Sequence, residues 1–484
     1  MTNNFFLKLS KFFLYLAPFA VIIVSRSTLF PFIVGKYVFF RIVVELALIC
    51  FLWAWARGEI KISNLESQIL KPLVIVVSIF TLIFLLAGFF GYNPSASFWS
   101  NFERGEGGLQ MLHLFVFFIL LVLLFRDEKT WRKMLKIFLL AAVLAIVYGI
   151  LASLQYIDVE YSESGSIVGS GWWHKVFQIF VGPSLKNAHE RFSGSFGNPA
   201  YLGTYMIFAL FFTVILLLEK RANSDVQRKP ALNRSKFASY KKWFLAGLSV
   251  LFFTALFFSR TRGAFLGLGI GIVAGLIYFF FSLPKGRLKN TILISLVVLT
   301  VAAGLAFVYN SRGGGYRIFD INLGTQTFQT RFLLWKQALK ITAERPLLGW
   351  GPENFSLALE KYYLPQFDVW FDRAHNVFFD YLAETGILGL LSYLSIFAAF
   401  YRQLFKLTKR LTTNDLQQKH KPHSSVISHQ SLVSNALLFA LPIAHLVQGI
   451  VLFEVLPIYI SLFLFLAFAN YKFGEQEAGI GIRN

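Results

Sequence analysis

The sequence predicts an all-α polytopic membrane protein, with about twelve transmembrane helices and one large outer loop that contains an amphipathic helix. Three observations predict it. Hydrophobic residues make up 56% of the 484 residues, with 56 Phe, and mean hydropathy is +0.60. Charged residues are only 15%, against about a quarter in soluble domains. Apolar runs of ~20 residues, the length that crosses ~30 Å of hydrocarbon, recur along the chain, and every second loop between them is rich in Lys and Arg.

Taken in order, the runs lie near 12–30, 37–56, 72–90, 109–125, 135–154, 198–218, 243–259, 263–282, 290–308, 376–400, 432–449 and 451–470. The first follows Lys8 and Lys11 and has no small-residue cleavage site, so it reads as a retained signal anchor. The single Cys50 sits in the second run, which excludes a disulfide framework or a cysteine metal site. Basic residues mark the cytoplasmic loops: Arg57, Lys61 and Lys71; Arg126, Lys129, Arg132 and Lys133; the dense stretch 219–242; Lys285, Arg287 and Lys289; and Arg402 through Lys421. Both termini are then cytoplasmic. The net charge of +21 reflects this threading, and no nucleic-acid partner follows from it.

The outer loops are 91–108, 155–197, the very short 260–262 and the long 309–375. The chain accordingly divides into 1–308 with nine spans, the large outer loop 309–375, and 376–484 with three spans and a cytoplasmic tail. In the large loop Phe328, Phe332, Trp335 and Leu339 recur at i, i+4, i+7 and i+11 ahead of Pro346. That spacing predicts one apolar stripe, on a helix that lies on the membrane surface or caps the bundle. His420, His423 and His429 fall in the polar stretch 402–431 and read as solvated loop, not as a metal site.

This threading gathers Arg191, Arg260, Arg262 and His375 at the outer face. In SRTRGAF (259–265) two arginines sit between two spans with almost no loop. A lone interfacial arginine is more often a snorkelling anchor, but Gly263, Gly267, Gly271 and Gly275 follow at every fourth residue. Such a ridge admits a second helix closely and turns Arg262 towards the bundle. In RFSGSFGNPAYLGTY (191–205) Arg191 precedes a glycine-rich turn and Pro199 at a helix start. The plain reading is a turn with its cap; with Arg191 it also suits an anion at a positive helix end. His375 opens the tenth span. A lone histidine there is usually structural, yet beside three arginines able to hold a pyrophosphate it suits a general base acting on a hydroxyl.

The ordered set of R-x-S-G-x-F-G-N-P (191–199), T-R-G-A-x-L (261–266), the group Thr330, Arg331, Trp335, Ala338, Ile341, Pro346, Gly349 and Gly351, and His375-Asn376 followed by Gly386 resembles the bacterial O-antigen ligase and O-antigen polymerase superfamily. Thr261 stands where that family often has Ser, a mild departure. The resemblance implies an inverting, metal-independent and cofactor-free transfer of a glycan from an undecaprenyl-pyrophosphate donor to a hydroxyl on lipid, glycan or protein. It places the chain in the bacterial inner membrane, surrounded by membrane lipids, with its active face extracytoplasmic. His375 corresponds to the catalytic base, and Arg191 and Arg262 to pyrophosphate-binding residues; Arg260 lies outside the matched core of its motif. SFWSNFERGEGGL (97–109) makes Arg104 a secondary candidate, alongside Arg331, His445 and Glu454. Asp368 and Asp372 are close enough to suggest a metal pair, but their spacing suits a solvated loop equally. A lipid or glycan transporter is the alternative of a different class. It calls for repeated halves and broken midplane helices, whereas the charges here collect at one surface. A membrane scaffold requires no such convergence.

Overall fold

The computed structural model describes residues 4–25, 27–60, 67–101, 104–153, 191–218, 232–283, 286–298, 326–367, 370–417 and 425–481. Among the described residues the regular structure is helical throughout, as an all-α multi-pass membrane protein requires. Most of the predicted loops 155–197 and 309–375 up to residue 325, together with Asp368, His420 and His423, lie outside the described residues.

The chain opens with α1 (Phe5–Leu16), which tightens into a 3-10 turn (Ala17–Ile22), and returns as α2 (Val34–Ala56). The first span is therefore Phe5–Ile22 and not 12–30. Phe5, Phe6 and Leu7 extend the apolar surface ahead of Lys8, and the 3-10 turn that follows carries Pro18 near its start, where a missing N–H is harmless. Next come α3 (Pro72–Phe89), the short α4 (Pro94–Trp99), α5 (Gly108–Leu124) and α6 (Glu128–Ser153). They lead through a 3-10 turn (Gly194–Phe196) to α7 (Pro199–Leu218), α8 (Leu232–Ser259), α9 (Arg262–Ser282) and a helical stretch over 287–298, α10. The last part holds α11 (Gln326–Glu344), α12 (Phe355–Glu360), α13 (Val377–Gln417), α14 (Ser425–Gly449) and α15 (Leu456–Gly481).

Ten of these helices are long and apolar enough to cross a membrane. Of the remaining two runs, 109–125 forms α5 with 17 residues, and 290–308 is described only to residue 298. Val38, Ile42, Ile49 and Trp53 of α2 and Phe244, Val250 and Phe257 of α8 are exposed, the pattern of helices that face lipid tails. The glycine ridge of α9 behaves as its spacing predicts. A Cβ on Gly267 would lie 2.5 Å from the Ala444 carbonyl oxygen, and one on Gly271 2.7 Å from the Ala444 side chain. Only glycines let α9 and α14 come this close.

Two sequence expectations are corrected by the packing. α11 does not present one stripe of Phe328, Phe332, Trp335 and Leu339: Leu334, Ala338 and Ile341 are fully buried, and Phe332 and Leu339 are exposed. The helix turns its 334/338/341 face into a small core with Trp350, Phe355 and Phe371, while Trp335 stacks on Phe379 of α13. In addition, the tenth span is not one straight helix. Gly386 adopts φ +66° and ψ −170° inside α13, and the motif Pro346-Gly349-Gly351 fills the break. Trp350 N–H donates to Ala383 O at 3.0 Å and Gly351 N–H to Glu384 O at 2.8 Å, while Ile387 N–H donates to Pro346 O at 2.8 Å. Backbone groups freed by the break are thus satisfied inside the protein, the condition for irregular backbone at membrane depth. A Cβ on Gly386 would lie 2.3 Å from Leu347 O, so this position requires glycine both for its φ and for the close approach.

Candidate functional site

The helix ends that carry the candidate residues meet at one end of the bundle. Phe192 N–H donates to Phe258 O at 2.9 Å, which joins the segment ahead of α7 to the α8–α9 turn. Arg191 Nε donates to Ser259 O at 3.1 Å and its Nη2 to Thr261 Oγ1 at 3.2 Å, one residue before Arg262 opens α9. Asn198 Oδ1 accepts the Ala200 N–H at 2.8 Å, so the cap of α7 is supplied by its own asparagine, and that N–H is not open to an anion.

His375 sits on the segment between α12 and α13 with φ +54°, a conformation uncommon for any residue other than Gly, though less so for Asn, Asp and His. The neighbours hold it there. Arg373 Nη1 donates to both Glu384 carboxylate oxygens at 2.7–2.8 Å, and its Nη2 reaches Glu353 and, at 3.5 Å, Glu106. Ala374 N–H donates to Asp380 Oδ1 at 2.6 Å, and Ala374 O accepts from Trp335 Nε1 at 3.0 Å. Asn376 Oδ1 accepts the Phe378 and Phe379 N–H groups that start α13. Strain of this kind, of order 1–3 kcal/mol, persists only where the surroundings over-determine it, and such positions cluster at functional sites.

The imidazole packs edge-on against Phe371 and Phe453. Its Nδ1 lies 3.2 Å from the Arg373 carbonyl oxygen. A carbonyl only accepts, so Nδ1 carries the proton and Nε2 presents its lone pair. Burial holds the ring below its ordinary value. The nearby Arg331 and Arg104 guanidiniums add to that effect, against the opposing pull of the Arg373 carbonyl and Asp372. At neutral pH the ring is therefore uncharged and able to accept a proton.

Arg331, on the first turns of α11, is close enough to act electrostatically on His375. Burial and the neighbouring Arg191 both disfavour its charge. Among the described residues its side chain makes no hydrogen bond or ion pair. Arg191, Arg331 and His375 are thus near enough to influence one another electrostatically, and among the described residues Arg331 has no acid to neutralise it. Arg104 is placed differently. Its Nε donates to Asp372 Oδ2 at 2.5 Å, its Nη1 reaches the Tyr201 hydroxyl at 3.4 Å, and the guanidinium lies over the Phe453 ring at 4.9 Å. Although burial disfavours its charge, the Arg104 hydrogen bond keeps the Asp372 carboxyl below the usual carboxylate range. Asp372 is thereby committed to Arg104. Arg104 thus shares the Phe453 ring with His375.

The remaining candidates stand apart. Arg262 begins α9 half-buried, adjacent in sequence to the Thr261 that Arg191 touches. Arg260 follows α8 in the turn to α9, with φ +48°, and is exposed. Among the described residues its side chain makes no hydrogen bond or ion pair, and nothing links it to His375. His445 and Glu454 pair with each other at 3.0 Å, and the Tyr393 hydroxyl donates to Glu454 at 3.2 Å. They form a buried group of their own, and Glu454 lines a small cavity with Glu106, Arg373, Asp380 and Glu384.

The sequence reading missed Arg373, Glu106, Glu353, Asp380 and Glu384. Asp380 and Glu384, four residues apart in an apolar helix, were the available signal, because intramembrane acids always need a partner. Burial in this group pushes the Glu106 carboxyl up to about 8, with Glu353 adding to the effect against Arg373 and Arg104. The folded protein then keeps a proton that the unfolded chain releases near its ordinary value of about 4.5, so stability falls as pH rises between these two values and levels off above about 8. Glu106→Gln, which keeps an acceptor for the Leu456 N–H, is expected to flatten this decline. Melting temperatures of the purified protein from pH 5 to 8.5 would show it, and a variant as pH-sensitive as the parent would refute the assignment.

Spanning helices gathered around an end that bears arginines and a histidine define a multi-pass membrane protein with a polar site where its helices meet their loops. Residues 247–394 match the family model described as O-antigen ligase, in line with the resemblance that the chain's motifs carry to the O-antigen ligase and polymerase superfamily. The matched stretch contains Arg262, Arg331, Arg373 and His375; Arg104 and Arg191 come from outside it. No curated protein matches the chain.

Proposed function

We propose that this end of the bundle lies on the extracytoplasmic face of a bacterial inner membrane and moves a glycan from undecaprenyl pyrophosphate to an acceptor hydroxyl. The observation that carries the reading is Arg331, which among the described residues has no hydrogen-bond or ion-pair partner and which feels Arg191 and acts on His375 electrostatically. Arg191 and Arg331, with Arg262 at the adjoining helix start, hold the pyrophosphate. Fixed guanidiniums favour this because their forked donors match phosphate oxygens and neutralise charge as it develops on the leaving group.

The acceptor hydroxyl gives its proton to His375 Nε2 as its oxygen bonds the anomeric carbon. The bond from that carbon to the pyrophosphate oxygen breaks, and the electron pair leaves with undecaprenyl pyrophosphate. A single displacement inverts the anomeric centre. Arg104, held by Asp372, keeps Phe453 against the imidazole and acts through position. The acceptor is lipid A core in a ligase, the growing glycan in a polymerase, or a protein hydroxyl in an O-oligosaccharyltransferase. The glycan that accumulates on the lipid carrier in a deletion strain distinguishes these.

The decisive assay mixes purified protein, a lipid-linked oligosaccharide and candidate acceptors in detergent. Transfer is expected, and it is expected to survive excess chelator because arginines supply the neutralising charge. Loss of transfer on chelation, restored by magnesium or manganese, would overturn that part. The orientation is checked separately with single cysteines. Thr330→Cys should label from outside intact inner-membrane vesicles of native orientation, and labelling only from the cytoplasmic side would end the mechanism.

A further inference from the structure

Lys36 is a charged residue that the mechanism above does not use, placed within the second membrane-spanning helix and only 2% exposed. Among the described residues no carboxylate touches it. Instead its ammonium donates to three main-chain carbonyls: Val21 O at 2.9 Å, Ile23 O at 2.6 Å and Ser195 O at 2.8 Å. An ammonium has three donors, and here each has an acceptor. Burying such a charge is expensive unless it is fully hydrogen-bonded, so its place in an apolar helix needs a reason.

The reason is found at the third carbonyl. Ser195 belongs to the segment that follows Arg191, and that segment is rich in glycine at positions of left-handed backbone: Gly194 at φ +56° and Gly197 at φ +73°. Such a backbone has many alternative conformations and does not fix Arg191 unaided. The N-terminal turn fixes it. Ser195 Oγ donates to Val21 O at 2.7 Å, and Gly197 packs so tightly on Phe32 that a Cβ there would come within 2.6 Å of the ring. On the other side a Cβ on Gly194 would lie 2.9 Å from Ala145 O. Lys36 thus ties the Ser195 carbonyl to the end of the first span, while Arg191, four residues earlier, is tied to Ser259 and Thr261.

We infer that Lys36 is a positioning residue for the donor site: its ammonium, shared between the Val21, Ile23 and Ser195 carbonyls, sets the segment that aims Arg191. This inference rests on the reading of Arg191 as a pyrophosphate ligand given above. It also assigns the first two spans, which lie outside the family match, a part in donor binding.

A double-mutant cycle tests it, read as the affinity of the full-length purified protein for undecaprenyl pyrophosphate in nanodiscs. Lys36→Met is expected to weaken binding about tenfold, the scale of losing hydrogen bonds to a charged group. It is expected to change affinity little further in an Arg191→Ala background, because its effect runs through Arg191. A merely structural lysine would weaken both backgrounds alike. Parent-like affinity in Lys36→Met, or losses that add in the double variant, would overturn the role of Lys36 while leaving the donor site standing. Parent-like affinity in Arg191→Ala would instead overturn the donor-site reading. Should Lys36→Met fail to accumulate, Ser195→Ala serves in the same cycle, since it removes only the Ser195 Oγ bond to Val21. It is expected to weaken binding about threefold with Arg191 present and not without it; equal weakening in both backgrounds would overturn the inference.

Discussion

His375→Ala is expected to lower turnover by roughly a hundredfold or more, the scale of general-base loss, with the affinity for the lipid donor nearly unchanged. The imidazole presents Nε2 as an acceptor because Nδ1 faces the Arg373 carbonyl, and the strained φ that aims it is held by Arg373, Ala374 and Asn376. The pH profile gives an independent check. Burial and the flanking guanidiniums lower the ring below its ordinary value near 6.5. The protonated ring has no lone pair for the hydroxyl proton, so kcat/KM should fall on the acid side with an apparent pKa below that value, and the limb should vanish in the variant. A His375→Ala protein that loses donor affinity but keeps its rate at saturation would make His375 a binding group. The base would then be sought elsewhere at this end of the bundle, with His445 and Glu454 next in line.

Arg331→Ala is expected to be as damaging by a different route. Its guanidinium is partly withdrawn from water, has Arg191 as a neighbour, and among the described residues has no acid partner. In the absence of an anion it therefore burdens the fold, and removing it should leave thermal stability equal or higher. Transfer should nevertheless drop by roughly a hundredfold, the scale measured when one preorganised donor to a developing oxyanion is removed. Arg191→Ala should behave alike in transfer. Lys should rescue either position poorly, because an ammonium lacks the two-pronged donor geometry. The pairing of higher stability with lost transfer distinguishes a ligand-binding arginine from a structural one. An Arg331→Ala protein that melts earlier and still transfers at near-parent rates would show that Arg331 serves the fold.

Buried Arg373 offers the contrast. Its partners Glu384, Glu353 and Glu106 come from three separate stretches of chain, and breaking a buried ion pair by removing one side costs about 3–5 kcal/mol. Such a residue is needed for the fold before any question of chemistry arises. The difference between Arg331 and Arg373 lies wholly in their surroundings.

What the sequence determined is what local backbone geometry controls. A helix repeats every 3.6 residues and crosses hydrocarbon in about 20, so apolar runs, the four-residue glycine ridge at 263–275 and the capped start at Asn198-Pro199 were legible as written. The placement of Arg262 and His375 was also legible, because each lies at a helix start, whereas Arg191 lies in irregular chain ahead of α7 and was marked only by its motif. Tertiary structure decided the rest. Arg104 meets Asp372 across 268 positions of sequence, and Ser100 meets Glu353 across 253. Which face of α11 is buried was likewise undecided by its periodicity, because Phe332 and Leu339 are as apolar as Leu334 and Ile341 and only the α13 surface chooses between them. The broken helix at Gly386 was invisible until the Pro346–Gly351 segment supplied its hydrogen bonds. Charges in an apolar chain are stable only where partners from distant segments converge, and that convergence is a property of how the helix ends meet, which no local stretch of sequence contains.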